Sequence, residues 1–300
     1  LLKNIFWYSY RVFGDAISHY WRDNGSAFAS HVALSGLLAF FPFFIFWASF
    51  ARFFGAFTYT PQKIKALVQL LPDVIAEPLS QEIVNVLTFH QRGVLTISVI
   101  GAAYFASNGI EALRTALNKA YRVSDRRTLL FCRFQSLFFV ILGAFGLVVM
   151  SFLLILAPLL IKIMQDHSFF ITEYIGVIRL WRYTIAVIIL FISLLIVHKW
   201  LPAGQRKFID ILPGIVMTIF VWFMASLAFA QYLTMFDYSS TYAGLASIMV
   251  AIIFLYILSA IFILGGEINA AIMFYRNYGQ SLRGMKKSVD RMKVKRWGKE

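Results

Sequence analysis

The chain has 300 residues, 60% of them hydrophobic and only 14% charged, where a soluble chain runs at about 45–50% and about 25%. That composition argues against a soluble globular enzyme, and the single cysteine, Cys132, excludes an internal disulfide or a cysteine-cluster metal site. The net charge of +14 comes from 28 Lys and Arg against 14 Asp and Glu. It would point to nucleic acid in a soluble protein, but in a membrane protein it reports orientation.

Residues 1–22 place Ile5, Tyr8, Val12, Ala16 and His19 or Tyr20 near one helical face. This reads either as a helix lying on the inner membrane surface or as a helix packed on the bundle. The first thirty residues lack an apolar core with a small-residue cleavage site, so no cleavable signal peptide is expected. A start at Leu1 rather than Met leads us to expect a short missing N-terminal piece.

A helix that crosses the hydrocarbon core needs about 20 mostly apolar residues. Six segments meet this: 32–51, 94–113, 134–161, 183–201, 211–236 and 242–275. Lipid cannot satisfy backbone polar groups, and nothing alternates with period two at barrel-strand length, so the runs read as helices. Pro42 and Pro158 each remove a helical hydrogen bond and predict kinks in the first and third spans. Between the first two spans, residues 52–93 are broken by Pro61, Pro72 and Pro78 into two short amphipathic helices, an external cap or lid over the bundle. The second span is rich in Gly, Ala and Ser. Its pairs Ala102 with Ala106 and Ala103 with Ser107 predict close helix packing inside the bundle. Gly244, Ser247, Ala251, Gly266 and Ala270 do the same for the sixth.

Lys and Arg number 21 on the side that holds the N-terminus, the second and fourth connections and the C-terminal tail, against 7 on the other. This puts both termini in the cytoplasm. The fold class is all-α: a polytopic membrane protein with six transmembrane helices and a short amphipathic external segment. Residues 1–276 form one transmembrane domain. Residues 277–300 form a basic cytoplasmic tail that reads as a membrane-surface binder, with disorder as the other reading.

Glu267 is the sharpest candidate for chemistry. A charge at the centre of a span costs about 2.5–3.5 kcal/mol by insertion scales. Glu267 therefore needs a partner or stays protonated, and the candidate partners Asn269, Asn108, Glu111 and Arg114 lie in the same half of the membrane. It reads either as a proton- or substrate-linked acid in a polar cavity or as half of a Glu–Arg pair locking spans two and six. Arg122, Arg126, Arg127 and Arg133 follow span two and form a candidate headgroup-binding belt at the inner leaflet, with topology alone as the plainer account. The five histidines are scattered, and there is no HExxH, G-x-S-x-G, P-loop or Rossmann fingerprint. No catalytic residues, metal or cofactor are implied, and no enzymatic activity is expected.

Several stretches, spread over residues 13–277, resemble the YihY/BrkB family of bacterial inner-membrane proteins. ASHVALSGLLAFFPF at 29–43 is similar to the family's opening span, and NGIEALRTALNKAYR at 108–122 to its post-span helix. Arg126-Arg127 through Arg133 resembles the arginine-rich entry to span three. YAGLAS at 242–247 and LGGEINA at 264–270 resemble the final span and its Gly-x-Glu-x-Asn signature, although the family often has Tyr-Gly where this chain has Tyr242-Ala-Gly244. The resemblance implies a six-helix inner-membrane protein. The family has carried the label ribonuclease BN, which the residues here do not support, and labels of virulence and serum resistance. It also implies a link to envelope lipid handling, with anionic phospholipid or a lipid A precursor as the cargo. Three functions are weighed in descending order: a transporter or flippase of an amphipathic envelope lipid, a non-transporting scaffold for an envelope-assembly partner, and a membrane-anchored hydrolase. Membrane lipids are the expected partners, and nucleic acid is not.

Overall fold

A computed structural model describes residues 2–53, 92–156, 170–234 and 243–297. Among these residues the protein is all-helical, with seven α-helices: α1 Leu2–Arg22, α2 Gly25–Phe53, α3 Arg92–Ala120, α4 Leu129–Ser151, α5 Phe170–Trp200, α6 Phe208–Thr234 and α7 Ala243–Trp297. Four stretches are long and apolar enough to cross a membrane: Leu129–Leu154, Gly176–Trp200, Phe208–Leu233 and Ile248–Arg276. They match the last four spans read from the sequence. The first two read spans fall within α2 and α3. The two amphipathic helices expected at 52–93 lie outside the described residues, apart from the ends of that segment.

The outer surface agrees with a lipid environment. On α4, Leu130, Phe134, Phe138, Ile141 and Phe145 recur at helical spacing and all are exposed. An apolar stripe of that length has no stable place in water. Α4 passes into π winding at Phe152–Leu156, just before Pro158, which itself lies outside the described residues. Α2 continues past Pro42 to Phe53.

Packing is closest at the basic end of the helices. Val12, Ala16 and Tyr20 form the buried stripe of α1, and Val12 and Ala16 cluster with Ile268 and Ala271 of α7. Of the two readings of residues 1–22, the structure therefore shows the helix packed on the bundle. A tight turn joins α1 to α2. Asn24 adopts φ +59°, where a side chain able to bond its own backbone is tolerated. Gly25 is required next, because a Cβ there would enter the Tyr20 ring.

Small residues bring α2 and α3 together, but lower down than the sequence suggested. Ala102, Ala103 and Ala106 are only half-buried, whereas Ser107, Gly109, Ala112 and Ala116 are buried. A Cβ on Gly109 would stand 3.2 Å from Cβ of Ser35. Gly266 plays the same part between α7 and α3, where a Cβ would sit 2.9 Å from Leu117. Leu117, Leu201, Ile211, Ile215 and Ile263 complete the core at this level. Α7 runs unbroken for 55 residues, roughly 80 Å at 1.5 Å per residue. Its helical backbone thus continues through the boundary drawn at 276 into the basic tail.

Candidate functional site

Three polar assemblies lie around the end of α3. The first is a cleft of about 350 Å³ between α2 and α3, lined by His31, Asn108, Glu111, Arg114 and Thr115 with Phe28 and Ala112. Asn108, Glu111 and Arg114 follow one another at one helical turn, so one face of α3 supplies the polar wall. Arg133 reaches over from α4. Its Nη1 lies 3.1 Å from Oε2 of Glu111 and donates to Oδ1 of Asn108 at 3.0 Å and to Oγ of Ser107 at 3.2 Å.

The second is a cleft of about 300 Å³ on the other side of Arg114 and Thr115, between α3, the 121–128 connection and the start of α4. Asp125 organises it. Arg127 donates to Asp125 through Nε at 2.8 Å, Nη2 at 2.7 Å and its backbone N–H at 3.1 Å, and Asn118 Nδ2 donates at 3.0 Å. The hydrogen bonds from Arg127 hold the Asp125 carboxyl well below the usual carboxylate range, against the smaller opposing effect of burial. Arg127 also donates to Oε1 of Gln135 and to the carbonyl of Leu201.

The third is a sealed layer that joins four helices. Tyr121 Oη lies 2.8 Å from Nδ1 of His198, and Asn269 Nδ2 donates to the same hydroxyl at 3.2 Å. The hydroxyl accepts from Asn269, and the direction of its bond with Nδ1 follows the ring tautomer of His198. The Arg206 guanidinium stacks 3.9 Å over the Tyr121 ring, and its Nη2 donates to the carbonyl of Ala203 at 2.7 Å. Burial pushes the Tyr121 phenol up and holds the Arg206 guanidinium down from their ordinary values. Asn118 Oδ1 accepts from the Ala203 N–H at 2.6 Å, so the 201–207 connection is pinned to α3.

Asn269 also enters α6. Pro213 supplies no N–H there, and the next N–H, on Gly214, donates to Oδ1 of Asn269 at 2.6 Å. A Cβ on Gly214 would collide with the carbonyl oxygen of Gly265 and with the Asn269 amide. The helix crossing and the hydrogen bond therefore depend on the same glycine.

The α3 terminus itself is locally encoded. The Val123 N–H bonds to the carbonyl of Asn118 at 2.9 Å and the Arg122 N–H to that of Lys119 at 2.8 Å. This pair of bonds caps a helix through a left-handed residue, here Arg122 at φ +57°. Glycine usually fills that position. Arg122 is held instead by its Nη2, 2.9 Å from Oδ2 of Asp15, and by Phe274 beneath its guanidinium.

The sequence-derived candidates fall into separate places. Asn108, Glu111 and Arg114 share the first cleft. Glu267 does not join them. It is fully buried in α7, and its Oε2 has no hydrogen-bond partner among the described residues. The expected pairing of Glu267 with residues of span two is therefore corrected. Glu111 pairs with Arg133 across α3 and α4, while Asn269 serves the sealed layer. Of the proposed headgroup belt, Arg122, Arg127 and Arg133 are fastened to Asp15, Asp125 and Glu111. Arg126 is exposed and makes no ion pair among the described residues. Sequence reasoning missed Tyr121, Asp125, His198 and Arg206. The available signal was a histidine closing an apolar span, with an arginine eight residues on. Among the described residues, no three His, Cys, Asp or Glu side chains gather as a metal would require.

Among the described residues, helices alone, four of them long and apolar enough to cross a membrane, define the class of helical membrane proteins. A family model described as "Virulence factor BrkB" matches residues 16–290, and the chain belongs to that family. It is also similar to a protein of Bacillus subtilis (strain 168) described as "Putative ribonuclease-like protein YfkH", at 26% identity over 258 residues, covering 85% of this chain and 93% of that one. No solved structure matches.

Proposed function

We propose that this protein is a non-enzymatic transporter or flippase of an amphipathic envelope lipid, with six spans in the bacterial inner membrane and both termini in the cytoplasm. The 21-to-7 asymmetry of Lys and Arg supports the orientation. The observation that carries the transport reading is the cleft between α2 and α3, where His31, Asn108, Glu111 and Arg114 meet beside otherwise apolar helices. Polar groups at membrane depth are costly and mark pathways. At about 350 Å³ the cleft is near the small end of ligand pockets, so it suits a headgroup while acyl chains stay in lipid. The sealed Tyr121–His198–Asn269 layer favours the second reading, a non-transporting scaffold that holds an envelope-assembly partner.

The test is transbilayer movement of headgroup-labelled phospholipids in vesicles holding the full chain. Transport predicts faster movement than in protein-free vesicles, slowed by Asn108→Ala with Glu111→Gln in a chain that still folds. No acceleration with any of phosphatidylethanolamine, phosphatidylglycerol or phosphatidic acid would leave the scaffold reading.

A further inference from the structure

We infer that the second cleft, between α3 and the start of α4, binds a phosphate monoester carried on a lipid, with Arg114 and Lys119 as the recognising groups. The inference deepens the lipid reading above and rests on its placement of this end at a bilayer surface.

The argument begins with charge. Arg114, Lys119 and Arg127 line the cleft with one acid, Asp125. Asp125 is already saturated by Arg127 and Asn118, so those two charges cancel. Arg114 meets Asp125 only in a loose ion pair: its Nε stands 3.9 Å from Oδ2, too far for a hydrogen bond, and its Nη1 is buried with no partner among the described residues. Lys119 also lines the cleft. It is exposed, forms no ion pair among the described residues, and lies with Nζ 5.0 Å from the centroid of the Phe28 ring, which belongs to the first cleft. Two cations without a hydrogen-bonded acid of their own line one concavity, which matches a doubly charged phosphate monoester better than a singly charged diester. A buried guanidinium N–H without an acceptor is a defect that a phosphate oxygen would repair. The Thr115 hydroxyl donates to the carbonyl of Glu111, so recognition falls to the two cations.

The surroundings choose between a free phosphate and a lipid headgroup. Leu129 forms part of the cleft wall and is 87% exposed, and it begins the apolar stripe that continues through Leu130 and Phe134. A polar cleft of about 300 Å³ that opens directly onto a lipid-facing helix fits a ligand with a phosphate at one end and chains at the other.

The test measures binding, not transport, on the full chain in micelles, with short-chain phosphatidic acid, phosphatidylglycerol, phosphatidylcholine and inorganic phosphate as probes. The expected order is phosphatidic acid above phosphatidylglycerol by about tenfold, one charge-assisted hydrogen bond, with no specific binding of phosphatidylcholine. Arg114→Gln and, separately, Lys119→Gln should each weaken phosphatidic acid by about tenfold, while Lys207→Gln, exposed and outside the cleft, should not. Lys119 is exposed and unbonded, so its variant folds even if that of Arg114 does not. Undiminished binding by Lys119→Gln, or equal affinity for phosphatidic acid and phosphatidylglycerol, overturns the site. Inorganic phosphate binding as tightly as phosphatidic acid overturns the lipid assignment. Because binding is read without translocation, loss of this site in a chain that still moves lipid sinks the inference and spares the transport reading.

Discussion

The hydroxyl of Tyr121, one residue past the end of α3, lies 2.8 Å from Nδ1 of His198 near the end of α5. With Asn269 donating to the same oxygen, one hydroxyl ties together three helices far apart in sequence. Its removal should be felt by all three. Tyr121→Phe keeps the ring under Arg206 but leaves Nδ1 of His198 and Nδ2 of Asn269 without this partner in a buried site. The expected loss is about 2–4 kcal/mol, read as a lower midpoint of denaturant unfolding in micelles. A change within error would show that the layer has slack or that other groups replace the bond.

Glycine substitutions should divide sharply by position. Gly214→Ala puts a methyl group against the backbone of Gly265 and against Asn269, and backbone cannot rotate away. The expected cost is at least about 1–3 kcal/mol. Gly36 lies in α2 with nothing within 4 Å of a Cβ, so Gly36→Ala should stabilise by about 0.5–1 kcal/mol through helix propensity. Unfolding midpoints of the two variants should therefore move in opposite directions.

These positions show what hydropathy reveals and what it misses. The four long apolar helices were legible because lipid demands about twenty apolar residues in a row, a signal carried by each segment alone. The Asn108–Glu111–Arg114 face was legible for a similar reason, since helical spacing places it on a single element. The sealed layer was not, because positions 118, 121, 198, 206 and 269 meet only after α3, α5, α6 and α7 have packed. Glu267 stood out as an acid in an apolar run, but its own helix holds no information about which neighbour faces it. Asn269, two residues on, proved to be the residue that reaches across.

Glu267→Gln keeps the shape of the side chain and breaks no ion pair seen in the structure. Stability should stay within about 1 kcal/mol of the parent. Asn269→Leu, of similar size, removes the acceptor for the Gly214 N–H and the donor to Tyr121 together, and should cost several times as much. Comparable losses for the two variants would mean that Glu267 has a partner in the folded chain.

Asp125 predicts a pH dependence. Arg127 depresses its carboxyl pKa in the folded state, so its stabilising contribution is complete above the unfolded value of about 3.9. It is lost progressively as pH falls from there towards the depressed folded value. Asp125→Asn should be less stable than the parent at neutral pH and should show a flatter acid limb. Parallel acid limbs in unfolding measurements across pH would remove Asp125 as a source of the effect.

The proposed orientation can be checked at the end of α7. The helix emerges from its apolar stretch at Arg276 and continues to Trp297, and residues 276–300 carry nine of the 21 Lys and Arg on that side. Such a segment is drawn to an anionic cytoplasmic leaflet and resists translocation. A Lys286→Cys variant should react with an impermeant thiol reagent in inside-out vesicles and stay unlabelled in intact cells. The native Cys132 is buried and contributes little background. Labelling from outside intact cells would reverse the membrane placement of the clefts, and with it the leaflet from which any lipid headgroup enters them.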